Sequence, residues 1–512
     1  MKIKLLTALI AALPAAAYSA GNDAASSHLM QQLQALQQEV QALQQSNAQI
    51  PLLKQQIDAL QQQVGVAAPG SDTATTPVAA DADSDEPTLK QTVTNLQIKV
   101  DTLNDAAASG PIAGLSVTGY VDPMYLYNRD QQSGGFRFLN KNGQYNYYDS
   151  NLGDTYIDIK KTFGVGPMAP DVELVLMPDR GGGGAFTNEN GTSSGNIFNQ
   201  ANVALPLNTT SSLMIGLLPS LAGYEPVTNN TTKTLTHNLL YDFSEPATYI
   251  GGDYKWFTNN YQTLWQVMLA NEQQKSAGSV VSGTNNTSQS NRTPTLAGRV
   301  DYQYTTSLDL GFSANLGRQT LYSPCAAGGY GYQCNGDTPF GTYVYAEGDL
   351  TYTWSNVQYN AQLDYGQLQH GAWNGGTAQW YGVSLLANKT WNTDWVGKMG
   401  ASLRYDYLND SKNGGGGAGI AYGVTGSNAS INANNGFGVD QQCLNASTDN
   451  GQECKGTNRS DVALDLQFFP TDKIIIKVEY RHDIANNAVF LKSDGTLSKN
   501  NDLIGTQFIY SF

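Results

Sequence analysis

Lys473-Ile474-Ile475-Ile476-Lys477-Val478-Glu479-Tyr480-Arg481 sets Lys473, Lys477, Glu479 and Arg481 on one side of the chain and Ile474, Ile476, Val478 and Tyr480 on the other. Successive side chains of a β-strand point to opposite faces, so the stretch reads as a strand with one wet and one apolar side. Asp461, Ala463, Asp465 and Gln467 alternate in the same way with Val462, Leu464, Leu466 and Phe468. Asp309, Gly311, Ser313 and Asn315 alternate with Leu308, Leu310, Phe312, Ala314 and Leu316. Each run has about the 9–11 residues of a tilted transmembrane β-strand. A soluble sandwich shows the same alternation, so features beyond the strands must separate the two.

Three do. Short connections at Leu207–Thr210, Thr258–Asn260, Thr305–Thr306, Ser355–Asn356 and Pro470–Asp472 alternate with long ones at Pro178–Gly195, Gln273–Arg292, Gln319–Pro339 and Asn409–Thr457. Outer-membrane barrels have short periplasmic turns and long external loops. Trp256, Trp265, Trp354, Trp391, Trp395 and many tyrosines gather near strand ends, as in interfacial girdles. Ile504, Thr506, Phe508, Tyr510 and Phe512 form an alternating last strand with a terminal Phe, which resembles the signal read by the barrel-assembly machinery of Gram-negative bacteria. The expected fold is therefore an all-β transmembrane barrel of about 16 antiparallel strands over 115–512. An even count returns both ends of the domain to the periplasm and puts the long segment 219–246 at the external end.

Composition agrees. The 512 residues include 53 Gly and 29 Tyr, only 14% are charged, and no run of about 18–20 apolar residues follows the N-terminus. The formal charge of −15 argues against nucleic acid as a partner. Met1–Ser19 has the basic start (Lys2, Lys4), short apolar stretch and small residues of a secretory signal, and its removal takes two lysines and the charge from −15 to −17. Residues 20–64 carry heptads at Leu29, Leu33, Leu36, Val40, Leu43 and Ile50, with Asn47 in a core position. The heptads resume after Pro51 at Leu53, Ile57, Leu60 and Val64. A linker rich in Ala, Pro, Asp and Thr (65–88) and a third heptad set from Leu89 to Leu103 (89–114) complete a periplasmic coiled coil. A homotrimer is the expected assembly, although heptads this short do not decide strand number. If continuous, 29–64 would span roughly 50 Å, enough to act as a tether.

Inside such a barrel the polar faces line water. The pore-lining candidates are Arg299, Asp301, Glu347, Asp349, Lys398, Arg404, Asp406, Lys477, Glu479 and Arg481. The acidic excess suggests a mild cation preference. Arg404, Lys477 and Arg481 offer an anion ladder, unless such charges pair across strands and only maintain shape. The segment 219–246 is too apolar for an exposed loop. Folded into the lumen it puts Tyr224, Glu225, His237, Tyr241, Asp242 and Glu245 at a constriction; packed on the rim it is a lid.

The four cysteines suit an oxidising compartment. Cys325–Cys334 and Cys443–Cys454 are the expected local disulfides, one of three possible pairings. A metal site is the rival reading, but neither pair has C-x-x-C spacing or a nearby His. No metal, cofactor or catalytic residue is assigned. Of His28, His237, His370 and His482, only His482 beside Asp483 suggests chemistry, and no Ser motif accompanies it. The runs Gly181–Gly184 and Gly414–Gly417 lack the Lys-Ser/Thr of a phosphate loop.

Gly223-Tyr224-Glu225 with the run His237–Pro246 resembles the OmpL-like β-barrel porins. The order signal, coiled coil, barrel is similar in layout to coiled-coil-bearing trimeric dicarboxylate porins and to siderophore porins. The resemblance implies diffusion of small hydrophilic solutes through a trimer in the outer-membrane lipid, and transfers no binding residue. A plugless transporter of siderophores, iron or organic acids, and a structural tether, are the alternatives.

Overall fold

The computed structural model describes residues 113–139, 153–177, 193–272 apart from 247, 293–320, 340–416 apart from 395–396, 436–446 and 453–512, with short pieces at 183–187, 280–282, 288–290 and 431–432. The signal, the linker, the heptads from Leu29 to Leu103 and the Cys325–Cys334 pair lie outside the described residues.

The chain from Gly114 onward forms one antiparallel barrel of sixteen strands. β1 runs Leu115–Val121 and Met124–Asn128, with Asp122-Pro123 between its halves. β2 (Thr155–Thr162), β3 (Asp171–Leu176), β4 (Ser193–Asn208), β5 (Ser211–Leu218), β6 (Tyr249–Thr258), β7 (Thr263–Glu272) and β8 (Thr295–Thr305) follow. Next come β9 (Leu308–Thr320), β10 (Phe340–Trp354), β11 (Val357–Leu368), β12 (Ala378–Thr393) and β13 (Gly397–Asp410). β14 (Thr457–Thr471), β15 (Ile474–Ala485) and β16 (Asn500–Ser511) complete the wall. Each strand pairs with its neighbours in sequence, and β16 closes on β1 through Tyr120↔Ser511 and Met124↔Gln507. The sixteen-strand count read from the sequence therefore holds. Pro123 explains the interruption of β1, because it has no N–H to give to a ladder.

The alternation is resolved into two surfaces. On β13, Ser402, Arg404 and Asp406 are 4%, 0% and 0% exposed, while the intervening Leu403 and Tyr405 are 52% and 42% exposed. Leu363, Leu385 and Leu464 share the outer face, so a contiguous apolar band surrounds a polar interior. Tyr352 and Tyr359 stack across β10 and β11 at the end with short turns, with ring centroids 6.3 Å apart. Tyr365 and Tyr381 stand opposite each other near the other end. Trp395 lies outside the described residues. An outside that is apolar and an inside that is charged inverts the plan of a soluble protein and suits a barrel whose solvent is lipid.

Replacing Leu403, at the middle of β13 on the outer face, by Arg is expected to cost about 2–4 kcal/mol in reversible unfolding from lipid vesicles. Loss of less than about 1 kcal/mol would mean that this face does not meet hydrocarbon.

Candidate functional site in the barrel lumen

β5 and β6 are joined by a strap, described over residues 219–246, that runs across the inside of the barrel. Its middle, Asn229–Asn238, is rich in Thr and belongs to no sheet, so its backbone groups need other partners. Ionised wall side chains supply them. Lys477 Nζ donates to Asn229 O (2.7 Å), Thr232 Oγ1 (2.7 Å) and Thr234 O (3.0 Å). Glu479 accepts from Leu235 N (2.8 Å), Thr236 N (3.2 Å) and Thr236 Oγ1 (2.6 Å). Arg404 donates to Thr234 Oγ1 (2.5 Å), Thr236 O and His237 O (2.9 Å). Arg481 donates to Thr236 Oγ1 and His237 O, both at 3.0 Å. Asp406 accepts from Leu239 N at 3.2 Å. On β1, Tyr120 accepts from Asn229 N (3.0 Å), and Asp122 accepts from Asn229 Nδ2 (2.6 Å) and Gln507 Nε2 (2.7 Å).

The strap's other contacts reach far round the wall. Arg299 on β8 donates to Leu221 O (3.0 Å), Gln362 on β11 to Glu245 (2.8 Å), and Trp380 on β12 to Ser244 Oγ (3.1 Å). Tyr224 and Ser384 share a hydroxyl hydrogen bond of 3.2 Å. Only a segment inside the barrel can touch β1, β8, β11, β12, β13 and β15 together. It carries one helix, α1 (Leu239–Phe243), capped by Asn238, whose side chain accepts from Tyr241 N and donates to Glu225 Oε2 (2.6 Å).

Behind the strap the wall charges neutralise one another. Arg404 meets Asp406 at 2.9 Å, Arg481 meets Asp461 at 2.9 Å and Asp483 at 3.2 Å, and Arg459 meets Asp483 at 3.0 Å, all with side chains 0% exposed. The expected anion ladder of Arg404, Lys477 and Arg481 is corrected by this arrangement. The three side chains point inward, but the strap covers them and engages their donors, so they present no cation to free space. The same cover hides Glu479 and Asp406. Arg459 makes a further junction. Its guanidinium lies 5.3–5.6 Å from the rings of Phe243, Phe437 and Phe490, which joins α1 to two long loops through cation–π contacts.

On the opposite side, between the strap and β5–β8, a cavity of about 570 Å³ remains. Tyr224, Glu225, Tyr241, Asp242 and Glu245 line its strap side. Met214, Leu218, Leu221 and Met268 line it with apolar groups, and Asp253, Lys255 and Arg299 stand on the wall. His237 is not among the lining residues. It is buried, stacks on Tyr241 with centroids 4.0 Å apart, and holds Nδ1 3.5 Å from Glu225 Oε1. Burial opposes charge on Glu225. His237, Arg404 and the Asn238 N–H outweigh that and hold its carboxyl below the ordinary 4.5.

Arg299 is the hub of the far wall, bonded to Asp301 (2.7 Å), Asp349 (2.8 Å) and Glu347 (3.4 Å). Gly311 lies beneath this cluster, and a Cβ there would collide with Arg299 Nη2 and Asp349 Oδ2. Lys398 is exposed near the short turns, its amine 5.1 Å from the Phe469 ring. Cys443 and Cys454 are joined in a disulfide, Cα–Cα 5.7 Å, beside α2 (Gln441–Ala446). His482 and Asp483 do not act as a pair. His482 turns to the outer face and meets Asp502 at 2.7 Å, whereas Asp483 turns inward to Arg459 and Arg481.

A family described as "Protein of unknown function (DUF3138)" matches residues 1–512. No curated protein matches the sequence. Among solved structures, an anion-selective porin from Comamonas acidovorans is similar at 10% identity and TM-score 0.46, covering 78% of this chain and 99% of its own. The outer membrane channel DcaP of Acinetobacter baumannii is similar at 12% identity and TM-score 0.43, covering 78% and 97%. OprD of Pseudomonas aeruginosa is similar at 12% identity and TM-score 0.34, covering 78% and 95%.

Arg404→Met leaves the buried Asp406 without its cation and is expected to cost about 3–5 kcal/mol in unfolding experiments. An effect below about 1 kcal/mol would mean that the strap is not anchored there. A carboxyl whose folded-state pKa is lowered adds stability above 4.5, and that stability is lost as pH falls through the folded value. The stability difference between wild type and Glu225→Gln should therefore be full above pH 4.5 and disappear on acidification.

Proposed function

The chain belongs to the DUF3138 family, and we propose that it is an outer-membrane channel through which small hydrophilic solutes diffuse. The observation that carries this reading is the cavity of about 570 Å³ left beside the strap, inside a closed barrel with an apolar exterior. A strap that narrows a barrel without filling it is how a channel limits solute size. Its lining has four carboxylates, Glu225, Asp242, Glu245 and Asp253, against the two cations Lys255 and Arg299, which favours cations. The covered state of Arg404, Lys477 and Arg481 weighs against an anion ladder on that wall.

The assembly we propose is a homotrimer held by the N-terminal heptads in the periplasm, with Phe512 presented to the barrel-assembly machinery during insertion. In this reading Lys398 and the Arg299, Asp301, Glu347 and Asp349 cluster border the solute path. The wall charges under the strap hold it in place.

Single-channel recording of the purified full-length protein in planar bilayers under a salt gradient tests the reading. The expected result is stable conductance in triplet steps with a cation-biased reversal potential, and a stronger bias in Lys255→Glu. Lys255 keeps 27% of its side chain exposed, which makes it more accessible than Arg299 at 12%. No conductance from a folded barrel, or an anion-biased reversal potential, would overturn the proposal.

A further inference from the structure

The cavity beside the strap differs in kind on its two sides. Leu218, Leu221 and Met268 belong to a buried apolar cluster with Tyr249, Ala270 and Ala297, and Met214 packs against it. These four side chains line one part of the cavity with apolar groups. They give a solute's apolar body a place to leave water, at about 25 cal/mol per Å² buried. Glu245 lines the same cavity and accepts a 2.8 Å hydrogen bond from the Gln362 amide. Gln362 also donates to Asp364 at 2.9 Å, so carboxylates and not cations surround Glu245. Among the described residues, no Lys or Arg pairs with Glu245. Burial, with Asp364, Glu225 and Asp349 nearby, pushes its pKa well above 4.5, the behaviour of a carboxyl that lacks a counter-charge.

The two cations at the cavity do not balance this. Arg299 gives its donors to Asp301, Asp349, Glu347 and Leu221 O. Lys255 sits 3.6 Å from Asp253. A carboxylate-bearing solute would have to displace those acids, whereas a cationic solute meets Glu245 without displacing a protein cation.

We propose that this cavity selects amphipathic organic cations, with an ammonium group held by Glu245 and an apolar body seated on Met214, Leu218, Leu221 and Met268. The inference rests on the channel reading for its physiological sense, but binding itself does not require conduction. The volume falls within the range of pockets that enclose small organic ligands.

The test uses three probes on the full-length protein. They are 2-phenylethylammonium, ethylammonium, which lacks the aryl body, and phenylacetate, which reverses the charge. In planar bilayers 2-phenylethylammonium should interrupt the potassium current at a concentration at least about tenfold below either of the others. Glu245→Gln should weaken its block about tenfold, and Leu221→Ser should weaken it while leaving ethylammonium unchanged. Equal block by all three probes, stronger block by phenylacetate, or insensitivity to Glu245→Gln in a conducting channel would overturn the inference and leave the channel reading intact. Titration calorimetry of the detergent-solubilised protein with the same probes decides the matter if the barrel folds but does not conduct. Binding of 2-phenylethylammonium alone would then support the cavity's specificity although the channel reading had failed. No binding would remove both. Should Glu245→Gln fail to fold, Leu221→Ser, tested by either method, carries the decision.

Discussion

The structure depends on a backbone that is hydrogen-bonded by charges instead of by other backbone. Asn229–His237 crosses the lumen without joining a ladder, and Lys477, Glu479, Arg404 and Arg481 replace the sheet partners it lacks. Buried charges are costly unless every donor and acceptor is used. Here the wall residues satisfy one another from behind through Asp406, Asp461 and Asp483, and satisfy the strap in front. An uncovered Arg404 would face water in a wide pore, and an unanchored strap would leave bare amides in the lumen. The narrow passage is therefore fixed by the same contacts that neutralise the wall.

This division gives the lumen two unlike halves. Toward β13–β15 it is closed by the paired charges of the wall and the strap they hold. Toward β5–β8 a cavity remains, and Lys255 keeps part of its side chain exposed there. Arg299 belongs to the open half but behaves like the closed one, because three carboxylates surround it. Gly311 makes that cluster possible by leaving room where any side chain would intrude.

Much of the barrel is legible in the amino-acid order because its physics is local. Period-two alternation in β9, β14 and β15, and turn lengths that alternate short and long, need no knowledge of distant residues. The polarity of the strap segment is equally local, as is the inward side of Arg404 or Lys477. What lies over an inward side chain is not local. Lys477 is bonded to Asn229 and Thr234, more than two hundred residues earlier, so its exposure cannot be read from β15. The cage around Arg459 was invisible for the same reason: Phe243, Phe437 and Phe490 come from three separate connections. His482 and Asp483 show the opposite failure. Adjacency in sequence suggested a pair, and the strand's own alternation sends them to opposite faces.

The interruption of β1 falls at the joint of the cylinder. Tyr120 and Asp122, which receive the strap's Asn229, stand at the seam where the first strand meets the last, and Gln507 of β16 shares Asp122. That end of the mooring is complete only once the final strand has been made and joined to the first. The strap's seat on β1 thus lies on the joint that closes the cylinder, where the first strand and the last share one carboxylate.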